Sequence, residues 1–109
     1  MGEIASGKET ARSKSELLRE RSKLLFGNRD RLEVAVAVAR SKDGFVNATD
    51  LGEVLPGWQN NRIRAQLIVL ASVDLLEVAP RAGPGRVWYM RKPGSFWDLC
   101  LDLAERWDA

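Results

Sequence analysis

The pattern of apolar positions in the first half of the chain predicts two helices. The first lies between Ser15, which could cap it, and Gly27, which would end it. The second would be capped by Asn28 and would include residues 34–39, where Val and Ala alternate strictly. This alternation also fits a strand, but the alanine content and the capping residues at both ends favour a helix. Because such a helix is apolar on all sides, we expect it to be buried against several neighbours. A very short strand could follow at residues 45–46.

The middle of the chain predicts two further helices separated by a tight turn. Asn47 or Thr49 could cap a short helix, which the Pro-Gly pair at residues 56–57 would end. A longer helix is predicted from about residue 59 to residue 73, with Asp74 as a left-handed residue at its C-terminus. The inward stripe of this longer helix consists of Ile63, Leu67 and Leu70.

A β-hairpin and a last helix are predicted in the remainder of the chain. Residues 75–79 and 87–90 are typical of strands, and they flank a Gly- and Pro-rich loop at residues 80–85. Ser95, with Asp98 three residues later, resembles a capping box that opens the last helix. The wide apolar stripe of that helix consists of Phe96, Trp97, Leu99, Cys100, Leu101, Leu103 and Trp107.

Length and composition are those of one ordinary globular domain. The chain has 109 residues, of which 45% are hydrophobic and 29% are charged, and this is room for one core rather than two. We expect residues 1–14 to be a flexible N-terminal arm, because they lack an apolar stripe, and residues 15–109 to form the domain. No apolar run approaches the roughly 20 residues that a membrane span needs, and the polar N-terminus is unlike a signal peptide. A cytoplasmic location without a membrane partner is therefore expected.

The supply of reactive side chains argues against catalysis. The chain contains one cysteine, Cys100, and no histidine. A single cysteine excludes an intrachain disulfide and favours a reducing compartment. The lack of histidine excludes Ser-His-Asp and Cys-His catalysis. The acidic residues Asp98, Asp102 and Glu105 share one helix face, which is more typical of a solvated surface than of a cation site. An enzyme that uses a carboxylate or a lysine stays possible, but we expect no catalytic residue, no metal and no cofactor, and hence no enzyme.

The charges of the chain are unevenly distributed. The net charge is only +2, from 17 basic and 15 acidic residues. Residues 59–92 carry six basic and two acidic residues, whereas residues 93–109 carry one basic and four acidic residues. Because local charge matters more than the total for an anionic partner, the basic segment is the candidate surface for nucleic acid.

The order of the predicted elements and several local motifs resemble the winged helix-turn-helix domain. Residues 49–55 resemble the first helix of that motif, and residues 59–70 resemble its recognition helix. Residues 74–77 resemble the entry into the wing, and the Gly-Arg and aromatic pattern at residues 85–89 resembles the start of the second wing strand. The likeness covers roughly residues 29–91 and is closest to the ArsR and MarR families of small bacterial repressors.

This chain departs from those families at three points. Asp74 stands where a glycine usually leads into the wing, and the metal-ligand sets of metal-sensing ArsR proteins are missing, so metal sensing is not carried over. The termini are shorter than MarR dimer arms, which favours the ArsR-like size. The resemblance implies an α+β, mostly α fold: a winged helix-turn-helix with a two-stranded wing and N- and C-terminal dimerisation helices.

The resemblance also implies a function. We expect a bacterial, nucleoid-associated regulator of transcription, and a repressor rather than an activator, that binds a palindromic duplex site as a homodimer. Its recognition helix would enter the major groove and its wing would contact the minor groove or the backbone. The residues expected to contact DNA are Thr49, Gln59, Asn60, Asn61, Arg62, Arg64, Ala65, Gln66, Arg81 and Arg86.

Each part of this surface can also be explained as ordinary solvent-exposed side chains without DNA contact. Asn, Arg and Gln also occur on any solvated helix, but the lack of acidic residues from 59 to 73 favours DNA contact. Arg81 and Arg86, at the two ends of the hairpin loop, could equally be two solvated arginines.

The terminal helices have more apolar residues than one small domain needs to cover. We expect a dimer interface formed by Leu17, Leu18, Leu25, Phe96, Trp97, Cys100, Leu101, Leu103 and Trp107. The alternative is that these residues cover the core of the monomer itself. Cys100 would then be a small buried hydrophobic residue rather than a redox sensor or one half of a disulfide across the dimer.

Two other functions stay open on the same fold. A winged helix can serve as a protein-interaction adaptor, and the small net charge fits that alternative. A DNA-organising or partition protein is a second alternative, and a protein partner or a small-molecule effector could act on any of these.

Overall fold

Five helices and a small sheet account for the part of the chain that the computed structural model describes, residues 14–79 and 86–108. In chain order they are α1 Lys14–Phe26, α2 Arg31–Arg40, β1 Phe45–Val46, α3 Ala48–Val54, α4 Asn60–Ser72, β2 Leu76–Ala79, β3 Trp88–Arg91 and α5 Ser95–Asp108. This α+β, mostly helical architecture agrees with the expected class and is compatible with a winged helix-turn-helix. The expected N-terminal arm lies outside the described residues, apart from the start of α1 at Lys14.

The alternating Val and Ala residues of the second predicted helix do form a helix. In α2, the residues Leu32, Val34, Ala35, Val36 and Val38 are buried. The helix is buried on several sides because it packs against each of the other four helices. Alternation along the sequence therefore reflects burial all round the helix and not a strand with two faces.

The junction between α1 and α2 differs from the expectation. Asn28 does not cap α2: the helix begins at Arg31, and Asp30 precedes it without a capping hydrogen bond from its side chain. Instead, Asn28 Oδ1 accepts a hydrogen bond from the backbone N–H of Asp30 at 2.8 Å, which orders the turn. The hydroxyl of Ser22, fully buried on α1, donates to the Asn28 carbonyl and accepts the N–H of Leu32 at 3.0 Å. One side chain thus joins the two helices.

The helix-turn-helix segment agrees closely with the sequence pattern. Of the two possible caps for α3, Asn47 is the one used: its Oδ1 accepts the N–H of Asp50 at 2.8 Å, and Thr49 lies exposed inside the helix. Gln59 precedes α4, and Asp74 adopts the left-handed conformation beyond it, with a φ of 69°. The expected inward residues of α4 are all buried: Ile63, Leu67 and Leu70.

The sheet has three antiparallel strands in the order β1-β3-β2. The short strand β1 pairs with β3, so the expected hairpin strands belong to a larger sheet. Tyr89 is buried whereas its neighbours Trp88 and Met90 are only half-buried, as the alternation of a strand with one covered face requires. Arg91, at the end of β3, places Nη1 at 2.8, 3.0 and 2.9 Å from the carbonyl oxygens of Val38, Ala39 and Ser41. The sheet is thereby tied to the C-terminal end of α2.

Part of the expected dimer interface lies inside the single chain. Trp97 is 5% exposed and Cys100 is fully buried where α5 packs on α2, and Trp97 Nε1 donates to the Lys92 carbonyl. These two residues belong to the core of the single chain and not to its exposed surface. The other seven residues retain at least partial exposure: Leu17, Leu18, Leu25, Phe96, Leu101, Leu103 and Trp107.

Candidate nucleic-acid interface

Helix α4 presents one face to solvent on which amide and guanidinium groups lie beside two apolar side chains. Because Ile63, Leu67 and Leu70 turn towards the core, the residues on the opposite side are exposed. We call this set the exposed face of α4: Asn60, Asn61, Arg64, Ala65 and Ile68. Arg64 Nη2 donates to Asn60 Oδ1 at 3.0 Å, one turn back along the helix. No acidic residue interrupts this face, so its amide and guanidinium groups remain attractive to an anion or to base edges.

Arg62 occupies a different position from the one expected. Its Nη2 and Nε donate to the two carboxylate oxygens of Asp30, at 2.9 and 3.2 Å, and its guanidinium lies 4.2 Å from the centroid of the Trp58 ring. Arg19 Nε lies 3.6 Å from Oδ1 of the same carboxylate. Arg62 is only partly exposed and ties α4 to the start of α2, so it does not belong to the exposed face.

The electrostatics of this contact favour the charged form of both partners. The hydrogen bonds from Arg62 hold the pKa of Asp30 below its ordinary value, against the opposing effect of partial burial. The same hydrogen bonds raise the pKa of Arg62. An ion pair that is partly buried, bidentate and stacked on an indole is a structural contact, and an incoming base would have to break it.

Gln66 is also displaced from the expected DNA surface. It is 5% exposed, and its Oε1 accepts a hydrogen bond from Arg31 Nε at 3.2 Å. Arg31 donates in addition to the Phe26 carbonyl at 3.1 Å, which connects α4 with the end of α1. Gln66 follows Ile63 by three residues and precedes Leu67, so it lies on the inner side of the helix. Gln66 therefore does not belong to the exposed face of α4.

Four of the expected residues come together in a groove between α3, α4 and β3. The groove has a volume of about 220 Å³, and we call it the α3–α4–β3 groove. Its lining residues are Asn47, Ala48, Thr49, Asn60, Arg64, Arg86, Val87 and Tyr89. Arg86 Nη1 lies 3.4 Å from Asp50 Oδ1, and both side chains are about half exposed. Gln59 is exposed at the start of α4, and Arg81 lies outside the described residues.

A larger cavity, of about 500 Å³, is lined in part by Asp50, Leu51 and Val54 of α3. Helices α1, α2, α3 and α5 and strand β1 all contribute to it, and most of its lining is apolar, with Glu33, Arg40 and Asp50 among the lining residues. The sequence pattern did not indicate it, because it exists only where five elements meet. Among the described residues there is no cluster of three or more acidic or cysteine side chains that could hold a metal ion. None of the described helices is long and apolar enough to cross a membrane.

Sequence reasoning missed Asp30, Arg31 and Asp50, which pair with the candidate side chains. Asp30 lies 32 positions before Arg62, and Asp50 lies 36 positions before Arg86. Such pairs carry no periodic signal, so only the folded chain could reveal them.

No model of a known protein family matches this chain, and no curated protein matches its sequence. The case for function therefore depends on the geometry of α4 and the groove beside it.

Proposed function

We propose that the chain is a DNA-binding regulator of transcription that recognises a duplex sequence with the exposed face of α4. The observation that supports this proposal is the chemistry of that face, which combines two asparagine amides and an arginine with no acidic side chain. A helix of 13 residues is about 20 Å long and fits a major groove about 12 Å wide.

The side chains of this face match the groups that bases offer in the major groove. Asn61 could pair with adenine through two hydrogen bonds, and Arg64 could bind a phosphate of the backbone through its guanidinium. Ala65 and Ile68 could contact thymine methyl groups. Gln59 and Asn60 lie at the N-terminus of α4, where free backbone N–H groups and the helix dipole favour a phosphate. The proposal thus assigns base contacts to Asn61, Ala65 and Ile68, and backbone contacts to the start of the face and to Arg64.

The remaining parts of the proposal concern the sheet and the oligomer. Strands β2 and β3 would act as the wing, with Arg86, and Arg81 in the loop before it, near the backbone or the minor groove. A second copy would cover the apolar side chains of α1 and α5 that stay exposed, among which Leu24 is 86% and Leu25 is 55% exposed. Two-fold symmetry would separate two recognition helices by roughly 34–36 Å, one turn of the duplex. Repression and a place on the bacterial nucleoid belong to this same proposal.

The proposal is tested by the affinity of the protein for a labelled pool of random duplexes at several salt concentrations. We expect Arg64→Ala to weaken binding and to flatten the salt dependence by about one contact. Arg40→Ala is the matched control, because Arg40 is an exposed arginine on α2 that lies outside the proposed surface. Equal affinities of the two variants would contradict the proposed surface.

A protein-interaction adaptor is the second candidate, and one observation favours it. Four aliphatic side chains on or beside α4, β2 and β3 are more than half exposed: Ile68, Val73, Val78 and Val87. Such residues are common where another protein docks. An adaptor would retain the random duplexes only weakly, and neither arginine substitution would change that retention.

A further inference from the structure

The α3–α4–β3 groove brings two arginine side chains to one small space from different elements. Arg64 comes from α4 and Arg86 precedes β3, and the neutral side chains of Thr49 and Asn60 also line the groove. Its volume of about 220 Å³ lies below the roughly 300–1,000 Å³ of pockets for drug-sized ligands. The space therefore suits a small group with several acceptor oxygens better than a larger organic molecule.

The guanidinium of Arg64 can donate further hydrogen bonds in this groove. Within the described residues, the side chain of Arg64 donates one hydrogen bond, from Nη2 to the neutral Asn60 side chain. A guanidinium has five N–H donors in a planar fork, which matches the oxygens of a phosphate. Arg64 is therefore able to bind an oxyanion without giving up an ion pair in the described part of the chain.

Arg86 is held by a contact that an oxyanion could displace. The distance from Nη1 to Asp50 Oδ1 is 3.4 Å, and both side chains are about half exposed. Ion pairs of this length and exposure contribute little, because water screens them and two flexible side chains must be held in place. Charge-assisted hydrogen bonds to a phosphate are shorter and stronger.

We propose that the α3–α4–β3 groove binds one phosphate oxyanion through Arg64 and Arg86, and that Asp50 opposes this binding by pairing with Arg86. The oxyanion is a phosphate of the DNA backbone if the proposed function holds, and this inference deepens that function. Asp50 then limits affinity for any duplex, since its carboxylate neutralises Arg86 in the free protein and repels the phosphate in the complex.

The substitution Asp50→Asn tests the effect of the Asp50 charge on phosphate binding, apart from the part that the residue plays in the cap of α3. Asn47 Oδ1 caps the backbone N–H of Asp50, and Asn47 Nδ2 donates to Asp50 Oδ2 at 3.0 Å. An asparagine keeps the backbone N–H and an acceptor oxygen, so α3 should stay capped. Glu53→Gln is the matched control: Glu53 is exposed on the same helix, does not line the groove, and loses the same charge.

The experiment titrates each variant with inorganic phosphate at constant ionic strength and, separately, with the labelled duplex pool. Phosphate binding is followed by the NMR signals of the arginine Nε–H groups and the Asn60 amide, and thermal unfolding verifies that the variants fold. We expect Asp50→Asn to bind the duplex about threefold to tenfold more tightly than Glu53→Gln. We also expect Arg86→Gln to bind it more weakly than an Arg40→Gln control.

The two titrations distinguish the sources of the oxyanion and the two proposals. Tighter duplex binding by Asp50→Asn than by Glu53→Gln assigns the groove to the DNA backbone. If the two variants differ only in their affinity for inorganic phosphate, and the natural chain does not retain the duplex, the groove binds a free phosphate compound. This result would contradict the proposed function. Equal behaviour of the two variants in both titrations overturns the inference, and duplex binding by the natural chain would then still support the proposed function. Should Asp50→Asn fail to fold, the comparison of Arg86→Gln with Arg40→Gln decides in the same way.

Discussion

Single side chains decide which parts of the sequence pattern are structural and which remain free for a partner. Arg62 and Arg64 are two residues apart on one helix and look equivalent in the sequence. In the folded chain Arg62 is bound to Asp30 and stacked on Trp58, whereas Arg64 is exposed and bonded only to the neighbouring Asn60 among the described residues. Their substitution should therefore have different consequences.

The contact between Asp30 and Arg62 should stabilise the fold in a pH-dependent way. Because the pKa of Asp30 is lowered in the folded state, its contribution is present above the unfolded value near pH 4. That contribution is lost as the pH falls through the folded value. We expect Asp30→Asn to lower the free energy of unfolding by about 1–2 kcal/mol at pH 7, and by much less at the lowest pH where the protein still folds. Urea unfolding at a series of pH values measures both.

The control for this prediction is Asp102→Asn. Asp102 pairs with Arg106 on the exposed side of α5, one turn apart, so its substitution should change stability much less. Equal losses for the two variants, or a loss for Asp30→Asn that does not depend on pH, would contradict the structural role of the Asp30 contact.

Cys100 should be unreactive while the protein is folded. Burial raises the pKa of this thiol to about 11, and the side chain has no exposed surface. The thiolate is the reactive form, so labelling by a disulfide reagent at pH 8 should be slow in the native protein and rapid in urea. Labelling of the native protein at the rate of a free small thiol would show that α5 does not pack as described, and would reopen a redox role.

At the scale of elements, the periodic patterns predicted the helices well and the polar contacts between them poorly. The inward residues of α4 and the left-handed Asp74 were correctly predicted, because burial and backbone conformation leave a local signature. The start of α2 was not correctly predicted, because Asn28 and Asp30 are both good capping residues and only the fold shows which turn forms. Trp97 and Cys100 could not be separated from exposed neighbours on the same stripe, because the width of the covered face depends on how α5 packs on α2.

The buried hydroxyl of Ser22 should be essential for the junction of α1 and α2. Ser22→Ala removes the hydrogen-bond partner of the Leu32 N–H and of the Asn28 carbonyl at a fully buried position. We expect a loss of about 1–3 kcal/mol in the free energy of unfolding. Amide hydrogen exchange at Leu32 should also become faster than in the natural chain.

Ser72→Ala serves as its control, because the hydroxyl of Ser72 bonds only its own helix at an exposed position. Surface substitutions of this kind usually stay within about 0.5 kcal/mol. A Ser22→Ala variant as stable as Ser72→Ala would show that the hydroxyl does not join the two helices.

At the scale of the whole molecule, two sides of the fold differ in the side chains that they expose. Helices α1, α2 and α5 form one packed layer, with exposed leucines at its surface. The exposed face of α4 and the α3–α4–β3 groove bring together the amides and arginines that we assign to DNA. The proposed regulator uses the first side to meet a second copy and the other to meet the duplex.

The most direct test of this account is selection of bound sequences from a pool of random duplexes, at two salt concentrations. We expect an enriched palindrome with half-sites about one helical turn apart. We also expect Asn61→Ala to relax the preference at one position of each half-site, at a cost of about 1–3 kcal/mol. Weak retention that depends on salt, with no enriched sequence, would contradict the account and favour the adaptor.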